Sequence, residues 1–256
     1  MKKLTIAAML LIGAAAAHAQ GMYWESTSDG MGGKHVEQSY AMPKMFKMVR
    51  SGEATEGSVV IVRLDKKVIW MLHPGKKTYS EMTFDDVAAM AKKGSERMAA
   101  MKKKMSEMPE EQRKMMEKMT GGQMDQEVAV KKTGETKTLL GHSCSKLTVM
   151  RGESEFMTMW IAKDITEFKS LMGDWKEFSE RMASMAGGFA KGMGEVYKQI
   201  DGFPLETTVS MMGKSMTMTV TKIEKRSTPA AEFDVPSGYE KVKSPMENAM
   251  QQMDQK

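Results

Sequence analysis

Two hydrophobic periods alternate along the chain. From Met22 to Met82 apolar residues come in short runs between turns, the pattern of β-strands. The strongest pair is Ser58 to Leu64 and Lys67 to Leu72, rich in β-branched residues and joined at Asp65-Lys66, which reads as a hairpin. The two-residue strand period puts Val60, Val62 and Leu64 on one face and Val68, Trp70 and Leu72 on one face of the partner. Both rows are expected in the core. Pro74-Gly75 then turns the chain into Thr78 to Met82.

At Thr83 the period changes. Thr83-Phe84-Asp85-Asp86 has the form of an N-cap with acids in the first helical turn. Met98, Met101, Met105, Met108, Met115 and Met119 follow at three- and four-residue steps, with Lys102, Lys103, Lys104, Glu107, Glu110, Glu111 and Arg113 between them. Pro109, followed by two acids, divides this stretch into two helices or one kinked helix ending near Gly121-Gly122. Strands are predicted again over Glu127 to Lys132, Thr138 to Leu140, Cys144 to Met150 and Glu155 to Ile161.

Asp164-Ile165-Thr166-Glu167 reads as a capping box opening a second helix. Its apolar face is Phe168, Leu171, Met172, Trp175, Phe178, Met182 and Met185, and Gly187-Gly188 ends it. A last hairpin, Leu205 to Met212 and Ser215 to Ile223, turns at Gly213-Lys214. There Met216, Met218 and Val220 face one way, and Thr217, Thr219 and Thr221 face the wet side.

The first residues change the picture of where the chain works. Lys2 and Lys3, the apolar run Leu4 to Ala17, and Ala17-His18-Ala19 form a signal peptide cleaved near Ala19, so Gln20 is the expected mature start and export to the periplasm follows. The organisation expected is a leader at 1–19, a single domain at 20–242 with a helical lid insertion at 83–121, and a polar tail at 243–256. No stretch is long enough to span a bilayer.

Without the leader, 36 basic residues face 33 acidic ones, a balance of +3 with interspersed signs. That pattern excludes the basic stripe needed for nucleic acid. A lone Cys144 makes no internal disulfide, so packing must carry the fold. A small buried hydrophobe is its simplest reading, with a reactive thiol or an intermolecular bridge as alternatives.

Several short segments carry a family resemblance: Ser58 to Leu72, Thr138-Leu139-Leu140-Gly141-His142-Ser143-Cys144, Met159-Trp160-Ile161-Ala162-Lys163-Asp164, Gly202-Phe203-Pro204-Leu205-Glu206 and Phe233-Asp234-Val235-Pro236-Ser237-Gly238-Tyr239. In this order they resemble an uncharacterised, DUF4412-like family of exported bacterial domains of unknown function, over most of the mature chain. That family is similar in outline to the outer-membrane lipoprotein carriers, whose curved antiparallel sheet wraps a helical lid over an apolar cavity. The resemblance implies an α+β fold: a curved, half-barrel-like antiparallel sheet, a long Met-rich helical insertion and a second amphipathic helix. It brings no catalytic residues, and the Met-rich helix departs from its pattern.

Catalytic constellations do not assemble. Gly141-His142-Ser143-Cys144-Ser145 lacks the last glycine of a nucleophile elbow, and Gly213-Lys214-Ser215 has Thr208 where a P-loop needs glycine. His35, His73 and His142 are isolated, and helix capping accounts for Asp85 and Asp86. The expectation is a protein without enzymatic activity and without a cofactor.

Methionine is the anomaly. Thirty remain after the leader, against seven leucines. Leu and Met are similar in volume and helix propensity, so the exchange keeps packing but gives pliable, polarizable, oxidisable side chains. Core filling is the plainest account for Met71, Met159, Met216 and Met218.

Three functions follow. In the first, a sheet face with Trp70, Leu72, Phe156, Trp160, Met216 and Met218 binds an apolar small molecule, a lipid or a lipidated protein beneath the helices. In the second, Met98, Met101, Met105, Met108, Met115 and Met119 scavenge oxidants, regenerated by a methionine sulfoxide reductase. The third is copper(I) held by clusters such as Met42-Met45-Met48, Met98-Met101, Met157-Met159 or Met216-Met218, opposed by neighbouring lysines.

Overall fold

The structure is a computed structural model that describes residues 21–30, 33–52, 55–112, 128–185, 193–211 and 213–244. The expected leader, the distal part of the 83–121 insertion with Met115 and Met119, and the tail beyond Ser244 lie outside the described residues.

Among the described residues twelve strands form one open, curved sheet. Six come first: β1 (Met22–Asp29), β2 (His35–Met42), β3 (Met45–Gly52), β4 (Thr55–Arg63), β5 (Val68–His73) and β6 (Thr78–Thr83). They pair in chain order as an antiparallel meander. Helix α1 (Phe84–Ser106) leads to a second meander of β7 (Val128–Leu139), β8 (His142–Arg151), β9 (Ser154–Ala162), β10 (Phe203–Met211) and β11 (Lys214–Lys225). Helices α2 (Thr166–Met185) and α3 (Met193–Gln199) lie between β9 and β10. Pairing of β1 with β11 joins the two meanders, and β12 (Glu240–Lys241) adds to the β6 edge in parallel. The expected α+β architecture, with its long Met-rich helix, is present.

Local chemistry explains the element boundaries. Thr83 caps α1 as expected: its hydroxyl accepts from the Asp86 amide, and the Asp86 carboxylate accepts from the Thr83 amide at 2.8 Å. The β7–β8 turn places Leu140 and Gly141 at φ 49° and 82°, as a two-residue turn of the primed type requires. Helix α1 stops at Ser106, and residues 110–112 after Pro109 are helical again, in line with the predicted break.

One sequence expectation is corrected here. Asp164 does not pair with Glu167 to open α2. The helix begins at Thr166, and the Asp164 carboxylate lies 2.9 Å from Nδ1 of His142 instead. In the β4–β5 hairpin, Val62 opposes Ile69 and Ile61 opposes Trp70, so Val60 and Val62 lie on the face opposite to Val68, Trp70 and Leu72. Both faces of this part of the sheet are covered, which is why both rows read as apolar.

On one face, α1 and α2 close a large cluster that includes Met22, Phe46, Val62, Ile69, Phe168 and Leu171. The Phe46 ring lies 5.6 Å from Trp175 and 6.3 Å from Phe178 of α2. The backbone amide and ammonium of Lys44, in the β2–β3 turn, both bind Asp174, at 2.8 and 2.7 Å, and so pin the middle of α2. On the other face, the segment after β11 lays Phe233, fully buried, onto Met42, Val59, Ile61 and Leu72. The α3 helix packs on Leu147, Val149, Met159 and Ile161 of the second meander. Among the described residues no helix is long and apolar enough to cross a membrane.

Candidate functional site

Strand register sorts the helix-bearing face into rows, because residues directly opposite one another share a face. The first row is Met22, Ala41, Phe46, Val62, Ile69 and Met82, wholly apolar and buried under α2. Two residues along each strand lies a second row: Trp24, Ser39, Met48, Val60, Met71 and Ser80. Here the large side chains are half-buried and the serines form a buried floor, and the Ser80 hydroxyl has no hydrogen-bond partner. The third row, Ser26, Glu37, Arg50 and Ser58, is polar, and Arg50 pairs with Glu37 at 2.9 Å. An apolar band with hydroxyl notches therefore runs beside α2, between a sealed row and a polar one.

Methionine is placed differently from leucine. Of the eighteen methionines whose burial is described, six are buried, eleven half-buried and one, Met218, exposed; five of the seven corresponding leucines are buried. Core filling therefore accounts for the leucines and for a minority of the methionines. The half-buried set includes Met48 and Met71 of the band, Met172 and Met182 of α2, and Met90, Met101 and Met105 of α1. Among the described residues, α1 enters the main cluster through its first two turns, by Phe84, Val87 and Met90. Arg181 of α2 lies 4.7 Å over the Phe84 ring at that junction.

The six ligand-binding candidates from the sequence do not gather on one face. Trp70 and Leu72 sit opposite to the helices, beneath the segment that carries Phe233, and Trp70 Nε1 donates to Glu81 at 2.8 Å. Trp160 opposes Glu206, which opposes Thr219, so it lies on the other face from Met218, with the Lys137 ammonium 4.3 Å over its ring. Phe156 belongs to the α3 cluster, under the Arg151 guanidinium at 4.3 Å. Met216 and Met218 do share the helix-bearing face with Ser28, as pairing with β10 and β1 requires. Among the redox candidates, Met101, Met105 and Met108 are half-buried, and the Met98 side chain lies outside the described residues.

Sequence reasoning missed Trp24, Ser39, Met48 and Ser80 as a band. The alternation Ser39-Tyr40-Ala41 and Phe46-Lys47-Met48 carries its signal, but only the register assembles it.

The opposite face carries its own charged network. Arg63 grips Asp65 through two bonds, at 2.8 and 2.7 Å, and Asp234 at 2.6 Å; the guanidinium holds the Asp65 carboxyl below the usual range. Lys241 and Trp70 do the same for Glu81, and Lys47 for Glu232. Burial, helped by Glu25, pushes Tyr23 up to about 12. Cys144 is fully buried and burial pushes its thiol up, so it has the character of a small core residue rather than of an activated nucleophile.

Residues 87–239 match the family described as "Domain of unknown function (DUF4412)". No curated protein matches the chain. Among solved structures the chain is similar to PNGF-II, at 10% identity over 91% of this chain and 32% of that one, with a TM-score of 0.41. The chain thus spans about a third of that protein's length. A Vibrio parahaemolyticus domain described as an outer membrane lipoprotein-sorting protein domain gives 8% identity over 86% of this chain and 91% of that one, with a TM-score of 0.28. A DUF1329 family protein from Desulfovibrio piger gives 7% identity over the same shares, 86% and 91%, with a TM-score of 0.23.

Proposed function

The chain belongs to the DUF4412 family, and we propose that it is an exported, non-catalytic binding protein that holds an apolar ligand, a lipid or the acyl group of a lipidated partner, in the band beside α2. The observation that carries this reading is the second row itself. Trp24, Met48, Val60 and Met71 are half-buried beside a sealed apolar row, with buried serines between them. A surface that only had to be wet would not carry these residues, and a sealed core would not leave them half-open. Methionine suits such a band because its unbranched thioether repacks around different guests. Helix α1, which among the described residues joins the main cluster through its first two turns, serves as the movable cover.

The test is titration of the mature protein with a fluorescent fatty acid below its micelle concentration, following probe emission and tryptophan quenching. Saturable binding is expected, with affinity at least ten-fold weaker in Met48→Glu and Val60→Glu while circular dichroism stays native. Absence of uptake, or equal affinity in folded variants, would remove the reading.

A further inference from the structure

At the far end of the same face the register brings together side chains that the acyl band does not use. Ser28 of β1 stands directly opposite Met218 on one side and His35 on the other. Two strand spacings put the Met218 and His35 backbones about 10 Å apart, with one small residue between them. Ser28 is only 5% exposed although it lies near a strand end, as expected when larger neighbours lean over it from both sides. Met216 is two residues before Met218 on the same strand and therefore on the same face.

Two glycines fit this arrangement. A Cβ on Gly30 would lie 2.7 Å from the Met216 Cα, and a Cβ on Gly52 would lie 2.7 Å from the His35 Cβ. Each glycine leaves room for the neighbour that carries the thioether or the imidazole. An open cleft of about 510 Å³ at this end of β1 to β3, whose lining includes Thr27, Ser28, His35 and Val36, reaches the imidazole side of the arrangement. Met218, 40% exposed, is the one exposed methionine among those described.

We propose that Met216, Met218 and His35 form a binding site for a soft monovalent cation, copper(I). Thioether sulfur and neutral imidazole are the ligand types that select this ion over calcium, magnesium or manganese, which prefer oxygen. Two thioethers from one strand and one imidazole from the next strand but one supply three donors, enough for a low-coordinate d10 ion. Among the described residues no group of three or more His, Cys, Asp or Glu side chains is placed to hold a metal, so a hard or borderline ion has no competing site there. The neighbouring Lys34 ammonium faces Asp29 at 3.7 Å, which offsets its charge at the mouth of the cleft. Along β1, Ser28 lies four residues from Trp24, about 13 Å, so the ion and the acyl ligand occupy separate places on the face.

The experiment uses the mature protein and silver(I), a redox-inert stand-in, with the methionine methyl groups carbon-13 labelled. One ion per chain is expected, with the methyl signals of Met216 and Met218 shifting together and those of Met48, Met101 and Met105 still. Copper(I) affinity, measured without oxygen against a chromogenic chelator, should fall at least ten-fold in Met216→Leu/Met218→Leu and in His35→Ala. Leucine keeps the volume at these partly exposed positions, so both comparisons are made on folded protein. The proposal is overturned by unsaturable uptake, by shifts centred on the α1 methionines, by unchanged affinity in the double variant, or by loss of binding in Cys144→Ser.

Discussion

Limited oxidation by peroxide should divide the methionines into two kinetic classes. A thioether must reach the oxidant, so a buried methionine reacts only when its surroundings open. Met22 is 1% exposed in the first row, and freeing it requires α2 to lift from the sheet. That movement exposes at least Phe168 and Leu171, 4% and 1% exposed, at about 1.5 to 3 kcal/mol each. With Trp175 and Phe178 already half-open and left out, the opening costs about 3 to 6 kcal/mol, which slows reaction by roughly 10² to 10⁴, a factor of ten for each 1.4 kcal/mol. Met218, Met101 and Met105 need no such step. Peptide mass spectrometry along a time course at limiting peroxide reads every site in one sample. Met22, Met42, Met82 and Met159 are expected to lag by at least a hundred-fold while far-ultraviolet circular dichroism is unchanged. Equal rates for Met22 and Met218 in protein that remains folded would refute the division of the methionines into a sealed minority and a half-open majority.

Phe233→Ala empties the centre of the opposite-face cluster and should lower stability by about 3 to 5 kcal/mol, or by the whole docking energy of the C-terminal segment if that is smaller; chemical denaturation followed at Trp70 distinguishes a global from a local loss. Asp65, Glu81 and Glu232 hold folded-state carboxyls below their ordinary values, so the stability they contribute is fully present above the unfolded range near about pH 4 and is lost as pH falls through their lower folded values. Loosening of the C-terminal segment, read from Trp70 emission, is therefore expected to begin below about pH 4; loosening that began near neutral pH would contradict it. Thr83→Ala removes the α1 cap and should cost about 1 kcal/mol in thermal unfolding, with faster amide exchange confined to the first turns of α1.

Periodicity made the elements legible, and register decided the site. The two-residue alternation of β4 and β5, the Thr83 cap and the apolar stripe of α2 are all local, and each stands where the sequence puts it. Which face of β5 meets the helices is not local. Val68, Trp70 and Leu72 read as core, and so do Ile69 and Met71, because the sheet is covered on both faces there. A one-residue choice thus moved Trp70 and Leu72 from the expected cavity to the underside of the C-terminal segment. The docking of that segment was not legible for another reason: Phe233, although part of a motif that carries the resemblance, lies in a short turn between Glu232 and Asp234, and its burial comes from contacts with strands some 170 positions earlier, as its carbonyl contact with Arg63 shows. The parallel addition of the two-residue β12 has no period to reveal it. Asp164 was misassigned because a cap and an ion pair use the same carboxylate, and His142 competes for it from another hairpin.

The half-open band and the methionine bias have a common physical basis. A row of large apolar side chains beside a sealed core lowers the free energy when covered and loses little when wet, provided that the side chains can change rotamer without opening voids. Leucine, branched and shape-specific, does well in the sealed row, and that is where Leu64, Leu171 and Leu205 are found. Methionine tolerates both states, and it is found at Met48 and Met71 on the sheet, at Met172 and Met182 on α2 and along α1 beyond Met90. The covering elements differ in the same sense. Helix α2 is fixed by six apolar side chains and by Asp174 on the Lys44 amide, whereas the described contacts of α1 with the main cluster lie at one end, at Phe84, Val87 and Met90. Burial of Phe84 and Val87 contributes about 3 to 6 kcal/mol at about 1.5 to 3 each, all of it at the first turns of the helix. On the proposed reading, a guest would enter the band on the α1 side without disturbing the sealed row. The graded order of rows, from apolar through hydroxyl-notched to charged, would on the same reading orient an amphiphilic guest with its apolar end toward α2 and its polar end toward Glu37 and Arg50.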